Sequence, residues 1–260
     1  MKPLTDVNFW EENWRKDYRP RKLQLYRDFD FETICILRDL AGPKGARVLE
    51  VGAGGSRVLP YLKKWFGFQV FGCDFSWSGC HLLRANLAIQ KVEGSVVCED
   101  LFRSSLQSET FDLVFSSGLI EHFDDTRAVI AEHLRLVKPG GRLALIVPNL
   151  QGLEGEIVKR LAPRLWSIHR VLGPDDLAGF LKSLGLEHVR AGRLGSFLIQ
   201  IGRDPEWTAV RRWPVFLQHI VCGSVRLANG FVSLFFRLSP WRPHSRAFST
   251  ACFAAGYKPK

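Results

Sequence analysis

Short apolar runs alternate with longer stretches of helical spacing through the middle of the chain. The runs are ARVLEV (46–51), FQVFGCD (68–74), GSVVCED (94–100), FDLVFSS (111–117) and RLALIVP (142–148). Between them lie SRVLPYLKKWF (56–66), SGCHLLRANLAIQ (78–90) and DTRAVIAEHLRLV (125–137). In the last of these Val129, Ile130, His133, Leu134 and Val137 recur at helical spacing. Near-continuous apolar strands separated by helices predict an α/β fold, a parallel sheet covered on both faces. KPGG (138–141) is expected to stop a helix ahead of the fifth strand, glycine supplying the backbone freedom.

Residues 8–40 read as one or two helices ahead of the first strand. GPDDLAGFLKSLGLEHVRA (173–191) predicts a further helix and strand, with Pro174 suited to a first helical turn and Asp175 and Asp176 to the positive helix N-terminus. AFSTACFAAGY (247–257) reads as a seventh, closing strand. The stretch 206–238 reads as mostly helical and stands outside the alternation. The expected units are a helical lid (1–42), a sheet core (43–205), a helical insertion or cap (206–246) and a final strand with tail (247–260).

Composition narrows the class. With 46% apolar and 24% charged residues the chain has an ordinary globular mix, which excludes a disordered chain, a collagen-like repeat or a coiled coil. Six cysteines without C-x-x-C spacing read as reduced thiols. The mixed-charge, aromatic N-terminus lacks the apolar core of a signal peptide, and no run of 18 apolar residues suggests a membrane span. The expected setting is cytoplasmic. The net charge of +10 is uneven, because residues 201–260 carry nine basic side chains against Asp204 and Glu206. Within them WPVFLQHIVCGSVRLANGFVSLFFRL (213–238) combines an apolar body with a narrow polar stripe (His219, Gly223, Arg226, Asn229 or Gly230, Ser233, Arg237). Arg211 and Arg212 precede it, and Arg242 and Arg246 follow. Such a helix could cap an acceptor pocket, pair in a dimer or lie peripherally on an anionic membrane through 206–246.

The most informative stretch is Val48-Leu49-Glu50-Val51-Gly52-Ala53-Gly54-Gly55-Ser56, a strand entering a glycine-rich turn that opens a helix. Glu50 stands two positions before Gly52, and Asp74 ends the next strand, where a carboxylate can accept both hydroxyls of a ribose. A dinucleotide fits less well. The sixth position of its G-x-G-x-x-G fingerprint is Arg57, and Glu50 would repel a pyrophosphate. With the acidic residues after the third strand (Glu99-Asp100-Leu101-Phe102), the run FDLVFSSGLIEHF (111–123) and KPGGRLALIVPN (138–149), the chain resembles the class I S-adenosylmethionine-dependent methyltransferases over about 45–150, and more loosely over 173–192. Ser56 departs from the family loop, the extra glycine being Gly55; a serine there could still donate to a ligand or cap the helix.

The resemblance implies a Rossmann-like, doubly wound, mostly parallel seven-stranded sheet with S-adenosyl-L-methionine as cofactor. It implies that Gly52 and Gly54 line the methionine moiety and that Glu50 orients its ammonium. Asp74 would hold the ribose, Asp100 would face the adenine amino group with Leu101 and Phe102 against the ring, and Ser117 and Gly118 would floor the sulfonium. These roles require Glu50 and Asp74 to share one cavity with the turn between them open.

Methyl transfer to oxygen also needs a proton acceptor. His122, in Leu119-Ile120-Glu121-His122-Phe123 just past the fourth strand, is the first candidate, with Glu121 beside it; His169 is a second, which could reach the acceptor or merely pack, and His219 reads as structural or solvated. Glu121 and His122 could equally do no more than shape the loop. Phe9, Trp10, Trp14 and Tyr26 could form a lid over the cofactor. No metal cluster is expected. Ser116-Ser117-Gly118-Leu119 replaces the Asn/Asp-Pro-Pro-Tyr/Phe motif of nucleic-acid amino-methyltransferases, and the Pro-Cys of cytosine-C5 enzymes is missing, so nucleic acid drops as partner. The expected acceptor is a small molecule, a saccharide or a lipid-linked saccharide precursor, methylated on oxygen. A nucleotide-cofactor oxidoreductase and a catalytically silent methyltransferase-like scaffold are the alternatives. The sequence leaves the oligomeric state open.

Overall fold

The computed structural model describes residues 3–16, 18–203 and 205–260; residues 1, 2 and 17 of the expected lid, and 204 just ahead of the insertion, lie outside the described residues. Two helices precede the sheet, α1 (Val7–Lys16) and α2 (Asp28–Ala41). The alternation then runs β1 (Arg47–Val51), α3 (Val58–Phe66), β2 (Gln69–Asp74), α4 (Trp77–Gln90), β3 (Ser95–Cys98) and β4 (Phe111–Ser117). It continues with α5 (Thr126–Leu136), β5 (Val137–Pro148), α6 (Leu153–Leu161), α7 (Pro163–Ser167), α8 (Pro174–Ser183) and β6 (Glu187–Leu194). The chain finishes with α9 (Val215–Leu238) and β7 (Ala251–Tyr257).

The strands order as β3-β2-β1-β4-β5-β7-β6. β1 to β5 pair in parallel, and β7 inserts antiparallel between β5 and β6. Side chains alternate across the sheet. Val48, Leu113 and Phe115 face Leu37 of α2, Leu59 of α3 and Leu83 of α4. Leu49, Val51 and Val114 face the layer that holds Ile130 of α5 and Leu177 and Leu181 of α8. Each such fully buried side chain contributes about 1.5–3 kcal/mol relative to exposure. The expected seven-stranded doubly wound fold is thus the observed one. Because β1 lies between β2 and β4, the crossovers on its two sides diverge and leave a crevice at the carboxyl end of β1.

The structure corrects three readings. KPGG does not separate helix from strand: α5 ends at Leu136 and β5 starts at Val137. The Gly140 N–H donates to the Lys258 carbonyl (2.9 Å) and the Lys258 N–H to Gly141 (2.9 Å), so the tail beyond β7 holds this stretch extended. The closing strand begins at Ala251, because 245–249 turn on a Ser249 N–H to Ser245 carbonyl bond (3.2 Å). Helices α6 and α7, which the apolar pattern had not suggested, fill 153–167.

Helix α9 packs on α2 through its polar side. Buried Asp28, at the start of α2, accepts from Ser233 Oγ (2.6 Å) and from the Ser196 N–H (2.6 Å). Removing that carboxylate leaves two buried donors unpaired. Asp28→Ala should therefore lower the unfolding free energy by about 2–3 kcal/mol in a urea titration, well beyond a surface substitution.

Candidate active site

Gly52 opens the turn after β1 with φ +71°, a left-handed conformation that glycine adopts freely. The Gly52 and Ala53 N–H groups both donate to the Cys73 carbonyl (2.9 and 3.1 Å), tying the turn to the end of β2. From α4, the buried Asn86 amide donates to the carbonyls of Gly55 (2.9 Å) and Ser56 (3.1 Å). The loop is thus held from β2 and α4, a support that local sequence did not signal.

Glu50 and Asp74 come together beneath this turn. Ser56 Oγ donates to Glu50 and accepts from the Leu59 N–H in the first turn of α3, so the serine that replaces glycine both caps a helix and holds the carboxylate. Asp74 accepts from the Gly54 N–H (2.7 Å) and the Ser76 N–H (2.8 Å). Burial pushes the Glu50 carboxyl up to about 8, further raised by the neighbouring Asp74 and opposed by the Ser56 bond. Asp74 is pushed up to about 6 by burial, against its backbone bonds. Two buried carboxyls flanking a glycine turn suit a ligand that brings positive charge and hydroxyl groups, because both restore the charged forms.

The adenine-side residues follow β3. Asp100 is exposed and accepts from the Phe102 N–H (3.0 Å), capping the short turn Leu101–Arg103. Leu101 is buried, while Phe102 is exposed and stands edge-on to Phe123 at 5.9 Å between ring centroids. Ser117 and Gly118 end β4, where Gly118 (φ +72°) donates its N–H to the Ile146 carbonyl (2.9 Å).

A second cluster forms just beyond Gly118. Glu121 and His122 are buried, and His169, distant in sequence, sets its ring 4.4 Å from that of His122 with the planes tilted by 57°. His122 Nδ1 lies 2.8 Å from the Ile168 carbonyl and His169 Nδ1 2.7 Å from that of Leu165. Each Nδ1 therefore carries the proton, and each Nε2 keeps a lone pair. His122 Nε2 is 3.9 Å from Glu121 Oε1, and Glu121 Oε2 is buried without a hydrogen-bond partner. Burial, with His169 adding to it, depresses His122 to about 4 and lowers His169; burial lifts Glu121 to about 8. One donor atom from each of the three residues falls within 4.8 Å of the others. The sequence suggested no metal cluster, yet this grouping has the spacing of cation ligands, hidden by the distance along the chain.

Helix α1 links the two clusters. Trp10 stands edge-on to His122 (5.2 Å) and stacks on Trp14 (6.3 Å). Trp14 lies on the glycine turn, where a Cβ at Gly54 would come 2.7 Å from its Nε1 and one at Gly55 2.8 Å from its ring. Glu11 accepts from Ser76 Oγ (2.9 Å) and the Ser78 N–H (3.2 Å), beside Asp74. Residue 3 bridges to Phe123, and the Leu4 N–H donates to the His122 carbonyl (2.8 Å). Three of the four lid aromatics belong here, with Phe9 edge-on to Trp10. Tyr26 does not; it is exposed, with its hydroxyl donating to Gln24. His219, also on the surface, pairs with Arg203. Contrary to the expectation of an open turn, Trp14 covers it. A ligand seated on this turn would have to displace the indole.

Comparison with known proteins agrees with this geometry. The family profile described as a methyltransferase domain matches residues 49–145. The ubiquinone biosynthesis O-methyltransferase of Xanthomonas oryzae pv. oryzae is 29% identical over 194 residues, covering 70% of this chain and 77% of the relative. A solved S-adenosylmethionine-dependent methyltransferase from Archaeoglobus fulgidus superposes with TM-score 0.55 at 17% identity, over 98% of this chain and 100% of that one. Phosphoethanolamine N-methyltransferase 2 of Haemonchus contortus, solved with S-adenosylhomocysteine, superposes with TM-score 0.59 at 16% identity over 88% of this chain, which spans about half (53%) of that protein. The two structures share the fold. Neither they nor the matched profile favour the oxidoreductase alternative. Residues 49–145 thus carry a methyltransferase domain, on the fold that solved S-adenosylmethionine-dependent methyltransferases share.

Proposed function

We propose that this methyltransferase acts on a hydroxyl oxygen of a small-molecule acceptor, a saccharide or lipid-linked precursor being the class that suits it best. The observation that carries this reading is the pair of imidazoles, His122 and His169, both with Nε2 free, standing just beyond Gly118 at the carboxyl edge of the sheet. The Xanthomonas relative, named for O-methylation, supports it. The six free cysteines suit a reducing, cytoplasmic setting.

When bound, S-adenosylmethionine supplies a methyl carbon already activated by its sulfonium. What this chain adds is alignment, exclusion of water and removal of one proton. Asp74 and the Gly52–Gly54 turn would hold the cofactor, with Glu50 beneath them, and Asp100, Leu101 and Phe102 would border the adenine. The acceptor hydroxyl hydrogen-bonds to His122 Nε2, which takes the proton as oxygen gains its methyl. The Ile168 carbonyl holds the tautomer, and Glu121, once ionised, stabilises the imidazolium.

His122→Gln, which keeps a polar group but no comparable base, should lower kcat by about 10²- to 10⁴-fold with little change in S-adenosylhomocysteine affinity. Loss of the proton from Glu121 strengthens His122 as a base. The rate should therefore rise with pH towards a limb near 8, and Glu121→Gln should abolish that limb in a pH–rate profile. A pH-independent rate across that range would remove the Glu121 charge from the reaction, and an unchanged kcat in His122→Gln would remove His122.

The cofactor site predicts a proton signature. A cationic ligand favours ionised Glu50 and Asp74, whose carboxyls burial holds at about 8 and 6. Binding near neutral pH should release protons, and release should shrink above pH 8 once Glu50 is already ionised. Calorimetry with S-adenosylmethionine in buffers of different ionisation enthalpy reads this directly, and Glu50→Gln should remove most of it. For the lid, Trp14→Ala should speed association of S-adenosylhomocysteine several-fold in stopped-flow, because the indole no longer has to leave the turn.

A further inference from the structure

Helix α9 is built with its polarity reversed. A helix on a globular protein normally turns its apolar stripe to the core and its polar face to water. Here the inward side carries Asn229, Ser233 and Arg237. Asn229 exchanges two hydrogen bonds with the backbone of Ile199, Ser233 bonds Asp28, and Arg237 donates to the Leu25 carbonyl (3.2 Å) with its guanidinium 3.6 Å over the Phe31 ring. The outward side carries Phe216, Ile220, Leu227, Phe231, Phe235 and Leu238, each 59–75% exposed, in an apolar row interrupted at Gly223 and Ser224. At a rise of about 1.5 Å per residue the row runs for roughly 35 Å, far beyond the scattered apolar residues of an ordinary surface.

By length and composition α9 could cross a membrane, which corrects the expectation drawn from uninterrupted apolar runs. Its attachment argues for a different placement. From Asn229 to Arg237 the polar residues bond to the body, and nearer the start of the helix Cys222 is buried beside Trp207 and Val210, so α9 lies along the body with one face outward. The charge around it selects the occupant. Residues 207–260 contain no aspartate or glutamate. Arg211 and Arg212 are exposed just before the helix, Arg226 is exposed on its flank, and Arg246 is exposed beyond its end. Trp241, 65% exposed, follows the C-terminus and Trp213 precedes the N-terminus, the residue type that settles at headgroup level. A second copy of this face would bring arginines against arginines in either orientation, with no carboxylate in the segment to offset them. A sheet of anionic headgroups over an apolar interior matches both the row and the charges.

We propose that the outward face of α9 docks side-on into an anionic phospholipid surface, the apolar row sinking below the headgroups and Arg211, Arg212, Arg226 and Arg246 pairing with phosphates. The inference rests on α9 alone and holds whatever the methyl acceptor is.

Vesicle flotation of the full chain tests it without any methyl transfer. The protein should float with phosphatidylcholine vesicles containing about 30 mol% phosphatidylglycerol, and bind about tenfold or more weakly to pure phosphatidylcholine. Combined Phe216→Ser, Phe231→Ser and Phe235→Ser should abolish flotation while S-adenosylhomocysteine affinity, which reports an intact core, stays as in the parent. Arg211→Glu with Arg212→Glu should weaken binding to the anionic vesicles while leaving the apolar row in place. Three results would overturn the proposal: parent protein that stays in the aqueous fraction, equal binding to neutral and anionic vesicles, or a parent dimer that the serine variant converts to monomer with no lipid binding by either.

Discussion

Burying Glu50 and Asp74 beneath one glycine turn costs both carboxyls their easy ionisation, and much of the surrounding structure answers that cost. Ser56 donates to Glu50, the Gly54 and Ser76 N–H groups donate to Asp74, and Asn86 holds the turn from behind. These donors keep the groups from being orphaned but supply no full positive charge. A ligand carrying its own cation completes what the fold leaves short. The same feature that weighs on the free protein would favour a sulfonium and an ammonium over a pyrophosphate.

The N-terminal helix turns this local tension into a property of the whole site. Trp14 covers the glycine turn, Trp10 reaches His122, and Glu11 sits beside Asp74, so the single helix α1 spans the glycine turn and the His122 cluster. A second carboxylate near Asp74 adds to the reluctance of the closed state to hold charge. Movement of α1 away from the turn would relieve that repulsion and open the surface together, which couples access to electrostatics.

At the far side of the molecule the polarity of α9 is decided by what α2 offers. Asp28 needs buried donors, and Ser233 and the Ser196 N–H meet that need only if the polar stripe turns inward. Once it does, helical geometry leaves the phenylalanines and leucines outside. The exposed apolar face accompanies the satisfaction of a buried carboxylate, and basic residues flank it at both ends.

Much of this was readable along the chain because the relevant signals are local. Apolar runs of strand length between amphipathic stretches determined the sheet and its helical layers. Glu50, Gly52, Gly54 and Asp74 were legible because a strand, its turn and the end of the next strand recur at short, regular spacing. Folding together residues far apart in sequence was not legible. The meeting of His122 with His169, the Trp14 indole over Gly54, Asn86 behind the loop and the inward polar stripe of α9 depend on which surfaces face one another after the sheet closes. Composition and periodicity record what a segment can bury; only the packed molecule determines against what it is buried, and hence which donors, charges and apolar faces are left for a ligand or a surface to complete.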